Sequence, residues 1–162
     1  MGTRSRIGVM HGDKCKSVYA HWDGYLSGNG EILQKHYDSA KANHLVALGD
    51  LSSLAKEIGE AHPFSPHDLP EEMRNMTHGE FEAKFGDMTT FYARDRGEKD
   101  VDFKVSQSFE EFLELVDNCG AEYFYIMKDD VWYCGAVYAV EGMLPNTLYV
   151  LQEQLNKIAQ TA

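Results

Sequence analysis

Apolar and polar positions alternate at the start of the chain. From Arg4 to Met10, Ile7 and Val9 fall on one side of a two-residue period and Arg4 and Arg6 on the other, which predicts a strand. His11-Gly12-Asp13-Lys14 carries turn chemistry. Cys15 to His21 follows as a second strand, with Val18 and Ala20 on one face and Ser17, Tyr19 and His21 on the other; the two strands predict an antiparallel hairpin. Beyond His21-Trp22-Asp23-Gly24-Tyr25 the period becomes helical, with Ile32, Leu33, His36 and Tyr37 on one stripe. Asp38 or Ser39 caps a helix from Ala40 to Leu48, which Gly49 ends. Asp50-Leu51-Ser52-Ser53 reads as the cap of a shorter helical stretch through Ile58, stopped by Gly59.

Residues 60–76, with Pro63, Pro66 and Pro70 among polar residues, read as a surface loop. Thr77-His78-Gly79-Glu80 is a capping box opening a helix to about Phe85. Thr89 to Ala93 reads as a strand that Arg94-Asp95-Arg96-Gly97-Glu98 breaks, and Asp102 to Val105 resumes extended structure. A second capping box, Ser108-Phe109-Glu110-Glu111, opens a helix with Phe112, Leu113, Leu115 and Val116 inward, closed by Gly120. Glu122 to Met127 and Val131 to Val137 flank Lys128-Asp129-Asp130 as a hairpin, and a last helix is predicted from near Asn146, with Leu148, Leu151, Leu155 and Ile158 inward. The sum is an α+β fold in one domain over residues 1–162. It has a mostly antiparallel sheet built from hairpins and helices packed on one face.

Composition narrows the functional classes. The 162-residue chain has a net charge of −11, yet residues 1–44 hold six Lys/Arg against four acids, and the acidity lies beyond them. An acidic surface argues against non-specific nucleic-acid binding. No run approaches the roughly 20 apolar residues of a membrane span, and no signal peptide or myristoylation pattern is visible at the N-terminus. Cys15, Cys119 and Cys134 form no C-x-x-C pair and are expected as reduced thiols.

No recognised catalytic motif is present, so a non-enzyme is favoured, with no cofactor and no metal site expected. The dense group His21, Trp22, Asp23 and Tyr25 is the first candidate site, as a ligand-binding loop or, for His21 and Asp23, an acid/base or metal pair. The alternative is structural, with Asp23 capping the turn and Trp22 or Tyr25 packing inward. Arg94 and Arg96 form the second candidate, either clamping a phosphate or carboxylate or tying a salt-bridge knot. With Arg4 and Arg6 adjacent, four guanidiniums would converge on an anion. Gly28-Asn29-Gly30 could offer backbone N–H groups to an anion, though a tight turn explains it as well. Tyr123, Tyr125, Trp132 and Tyr133 could stack a base, or be core and cross-strand pairs; a buried thiol suits Cys134 better than a nucleophile.

Thr3-Arg4-Ser5-Arg6-Ile7-Gly8-Val9, His21-Trp22-Asp23-Gly24-Tyr25, Leu48-Gly49-Asp50-Leu51-Ser52-Ser53-Leu54 and Tyr92-Ala93-Arg94-Asp95-Arg96-Gly97-Glu98 together resemble a family of small proteins of tailed bacteriophages and prophages. The resemblance covers most of the chain, least so over residues 60–88. It implies a setting, the cytoplasm of an infected host bacterium, and assigns no catalytic residue. The expectation is a protein that binds a small anionic, nucleotide-like ligand through Arg4, Arg6, His21, Trp22, Asp23, Tyr25, Arg94 and Arg96, sequestering a host defence signal. The alternatives are an inhibitor docking on a host protein through its acidic surface, and a phosphoesterase or nucleotide hydrolase using His21 and Asp23. An exposed edge on the aromatic hairpin could pair across a homodimer.

Overall fold

The computed structural model describes residues 3–64, 69 and 71–161. The alternation at the start of the chain produces β1 (Ser5–His11) and β2 (Lys14–Ala20), an antiparallel pair with Ile7 opposite Val18. A π-helical turn at Leu26–Gly30 leads into α1 (Glu31–His36). Asp38, whose side chain accepts from the Lys41 N–H, caps α2 (Ser39–Ala47). β3 (Leu51–Ser53) follows, then a 3₁₀ turn at Glu71–Met73, α3 (His78–Phe85) behind the capping box of Thr77 and Glu80, β4 (Thr90–Phe91) and α4 (Tyr92–Arg96). β5 (Lys104–Ser106) and α5 (Phe109–Asn118, capped by Ser108) precede the hairpin β6 (Tyr123–Lys128) and β7 (Val131–Ala136). β8 (Tyr149–Val150) and α6 (Leu151–Thr161) complete the order.

The fold is α+β. Among the described residues the strands make one sheet in the order β4-β3-β2-β1-β6-β7-β8, with β5 pairing along the first half of β2. Most pairings are antiparallel; β1 with β6 and β2 with β3 are parallel. Along the second strand of the aromatic hairpin, β8 pairs with Tyr133 and Cys134.

Both faces of the sheet are covered, which replaces the expectation of helices on one face. Ile7, Val9, Val18, Tyr125 and Met127 pack with Leu33 of α1, Leu45 of α2 and Leu151 of α6 on the first face. Phe124 and Ile126, the alternate residues of β6, pack with Phe112 and Val116 of α5 on the second. A strand covered on both sides reads as an unbroken apolar run rather than an alternation, as Tyr123-Phe124-Tyr125-Ile126-Met127 does.

Three local expectations are also corrected. Residues 51–53 are a strand rather than the start of a helix, because Leu51 is buried between Ala20 of β2 and Phe91 of β4. The expected strand from Thr89 stops at Phe91, and Tyr92–Arg96 turns into a short helix that Gly97 closes at φ 72°. The last helix begins at Leu151 instead of Asn146, whose φ of 55° is left-handed and whose successors reach the sheet as β8. Of the expected surface loop at 60–76, residues 65–68 and 70 lie outside the described residues.

Candidate functional site

The second sheet face, beyond the end of α5, carries the polar residues that β1 and β2 turn away from the main core. Arg6 is 2% exposed. Its Nε donates to Ser17 Oγ at 2.8 Å and its Nη2 to the Ser17 carbonyl at 3.2 Å. Among the described residues no carboxylate stands within ion-pair distance of it. Burying a charge is costly; the guanidinium is held at Ser17, where its charge acts on the Cys15 thiol and the Asp50 carboxyl.

Tyr19, opposite Arg6 in the β1–β2 register, is the centre of the arrangement. Its N–H donates to Asp50 Oδ1 at 2.9 Å, and its phenolic oxygen lies 2.6 Å from His21 Nδ1. The Tyr92 N–H donates to the Asp50 carbonyl at 3.2 Å, and the Trp22 N–H to the Ser52 carbonyl at 3.0 Å. These bonds lock the end of β2, the start of β3 and the start of α4 into one unit. Burial pushes the Asp50 carboxyl above its ordinary value, against the Tyr19 N–H bond and the charges of Arg6 and Lys104. Burial likewise lifts the Tyr19 phenol, opposed by the Arg4 guanidinium. The exposed Arg4 lies over Gly120: a Cβ there would stand 3.0 Å from its Nη1.

The His21–Tyr25 loop continues this surface. The rings of Tyr19, His21 and Trp22 form a row, with centroids 5.9 Å and then 4.7 Å apart, and Trp22 meets His21 edge-on. Trp22 is 42% exposed and Tyr25 39%. Both rings therefore stand toward solvent rather than packing inward. Asp23, left-handed at φ 55°, accepts from the Tyr25 hydroxyl at 3.2 Å, and its charge raises that phenol. The loop is pinned to β1, since Gly24 N–H donates to the Thr3 carbonyl at 2.7 Å and Asn29 Nδ2 to Ser5 Oγ at 3.2 Å.

The four arginines do not form one cluster. Arg94 is a structural knot: its Nε donates to Asp95 Oδ1 at 3.0 Å, Nη1 to the Ile58 carbonyl at 3.0 Å and Nη2 to the Thr89 carbonyl at 2.8 Å. Its guanidinium lies over Phe91, a core residue of the first face. Arg96 is exposed, pairs with Glu98 at 3.2 Å and rests on the ring of Phe64. Arg4 acts on Tyr19 and Arg6 on Asp50, while Arg96 also lies over the ring of Tyr92, 5.7 Å from its centroid.

The glycine turn offers no anion cradle, because the N–H groups of Gly28 and Asn29 donate to the carbonyls of Tyr25 and Asp23. Tyr123, Tyr125 and Trp132 are core rather than a stacking platform, and Tyr133 is half-buried. Cys134 is a buried thiol pushed up to about 12 by desolvation. Among the described residues no group of three or more His, Cys, Asp or Glu is placed to hold a metal ion.

Sequence reasoning missed Tyr19, Asp50, Ser52 and Tyr92. The two-residue period puts Tyr19 on the face of His21, whereas the local pattern makes Asp50 a helix cap and Tyr92 a strand residue. Comparison with family models, with curated proteins and with solved structures finds no match for this chain. Among the described residues no helix is long and apolar enough to cross a membrane.

Proposed function

We propose that the protein binds a small anionic, nucleotide-like ligand on the face formed by Arg4, Tyr19, His21 and Trp22. The observation that carries this reading is Arg4, an exposed guanidinium whose charge acts on the Tyr19 phenol at the head of the ring row. Its guanidinium is able to grip a phosphate bidentately. Trp22 presents an indole on which a base stacks. The group is a receptor for charge and an aromatic ring. The resemblance to phage proteins supports sequestration of a host nucleotide signal as the setting.

Calorimetric titration with a panel of nucleoside phosphates and cyclic dinucleotides tests this. Binding by the wild type that is lost in Arg4→Glu and weakened in Trp22→Ala, with both variants folded, is the expected result. Equal affinity in all three proteins, or no binding across the panel, refutes it.

A further inference from the structure

Proton placement at His21 follows from its neighbour. Nδ1 lies 2.6 Å from the Tyr19 hydroxyl, a length ordinary for a strong bond to a phenol. A phenol has one proton to donate, and among the described residues the Tyr19 hydroxyl has no hydrogen-bond partner besides His21. Given to Nδ1, that proton leaves the neutral imidazole with its own proton at Nε2. Nε2 has no hydrogen-bond partner among the described residues, on a half-buried ring whose backbone N–H is fixed to the Leu51 carbonyl at 3.2 Å.

We infer that Tyr19 is a positioning residue that holds His21 in the Nε2–H tautomer, so that the imidazole offers an outward donor to an anion oxygen. This rests on the anion-binding reading above and sharpens it. With the Tyr19 proton committed to Nδ1, His21 Nε2–H and the Arg4 guanidinium are both donors, and they suit the anionic oxygens of a phosphate. The elevated phenol of Tyr19 agrees with a hydroxyl that keeps its proton to donate.

Nitrogen-15 correlation spectra of the histidine rings, taken at about pH 8.5, roughly two units above the ordinary histidine value, test the assignment directly. The wild type is expected to show His21 with an unprotonated Nδ1 and a protonated Nε2. Tyr19→Phe keeps the ring and removes the donor; its His21 is expected to become a mixture of tautomers within an otherwise unchanged amide spectrum. Titration with inorganic phosphate should shift the Nε2 resonance, and the apparent affinity should fall about three- to tenfold in Tyr19→Phe. A wild-type His21 protonated at Nδ1, or already mixed, overturns the inference. The assigned tautomer with no response to phosphate anywhere on this face supports the tautomer and overturns the anion-binding reading instead, so the two fail separately.

Discussion

The hydroxyl of Tyr125 donates to the carbonyl of Gly24 at 2.6 Å, joining the core of β6 to the loop that carries Trp22. Tyr125 is completely buried, so this bond ties the exposed aromatic loop to the interior of the sheet. Tyr125→Phe removes the donor and leaves a buried carbonyl without it, a change expected to cost about 1–3 kcal/mol of stability. Urea unfolding of the purified variant measures it, and a loss below the error of the fit would contradict the bond.

Gly24 is constrained by space. A Cβ there would stand 2.8 Å from both Ser5 Cβ and the Thr3 carbonyl oxygen. Gly24→Ala must push the loop away from β1, at a cost of about 1–3 kcal/mol. Lower ligand affinity should accompany the lower melting temperature, because Trp22 moves with the loop.

Arg94 and Arg4 separate stability from binding. Asp95 has a fully buried side chain whose carboxylate also accepts from the Phe91 N–H at 2.8 Å. Arg94→Ala leaves that charge without its cation and should destabilise by about 3 kcal/mol, judged from other buried pairs. Arg4→Ala, at an exposed site, should alter the melting temperature little. Thermal denaturation of both variants beside their binding isotherms checks the contrast.

Asp50 predicts a pH effect of definite sign. Its carboxyl is raised in the folded protein relative to the ordinary value of 3.8, with burial as the first cause. The native state thus holds this proton more tightly than the unfolded chain. The associated stability is present below pH 3.8 and is lost as pH rises through the elevated native value. Asp50→Asn keeps an oxygen for the Tyr19 N–H and abolishes the titration. Its melting temperature should therefore improve relative to wild type between pH 4 and pH 7, read by parallel thermal scans. A constant difference across that range argues against the raised carboxyl.

The cysteines divide by exposure. Cys15 and Cys134 are fully buried, and desolvation pushes each thiol up to about 12. Native alkylation at about pH 8, resolved by peptide mass spectrometry, should label the half-buried Cys119 first and the other two only on unfolding.

Local chemistry was legible in the sequence where it is local in space. Asp38, Thr77 and Ser108 cap their helices because each side chain needs only an N–H three residues on. The hairpins β1–β2 and β6–β7 follow from period and turn residues. What escaped depends on distant partners. Leu51 is extended because Ala20 and Phe91 flank it, and no window around Leu51 contains either. Arg94 is a knot because the carbonyls of Ile58 and Thr89, distant or turned back in the chain, accept from its guanidinium. Arg4, Arg6, His21 and Trp22 were legible as a candidate set; Tyr19 and Asp50, which organise them, were not.

The parallel pairing of β1 with β6 also governs how the chain folds. Ser5 lies opposite Tyr123 and Val9 opposite Met127 at the middle of the sheet. Closing that contact carries the loop entropy of nearly the whole intervening chain before any neighbouring pair can reward it. Pairing of segments so distant in sequence slows folding. During synthesis the hairpin β1–β2 precedes β6, and one edge of β1 stays unpaired until residues 123–127 arrive. The same strand that holds the buried arginine is thus, until then, an open template for mispairing.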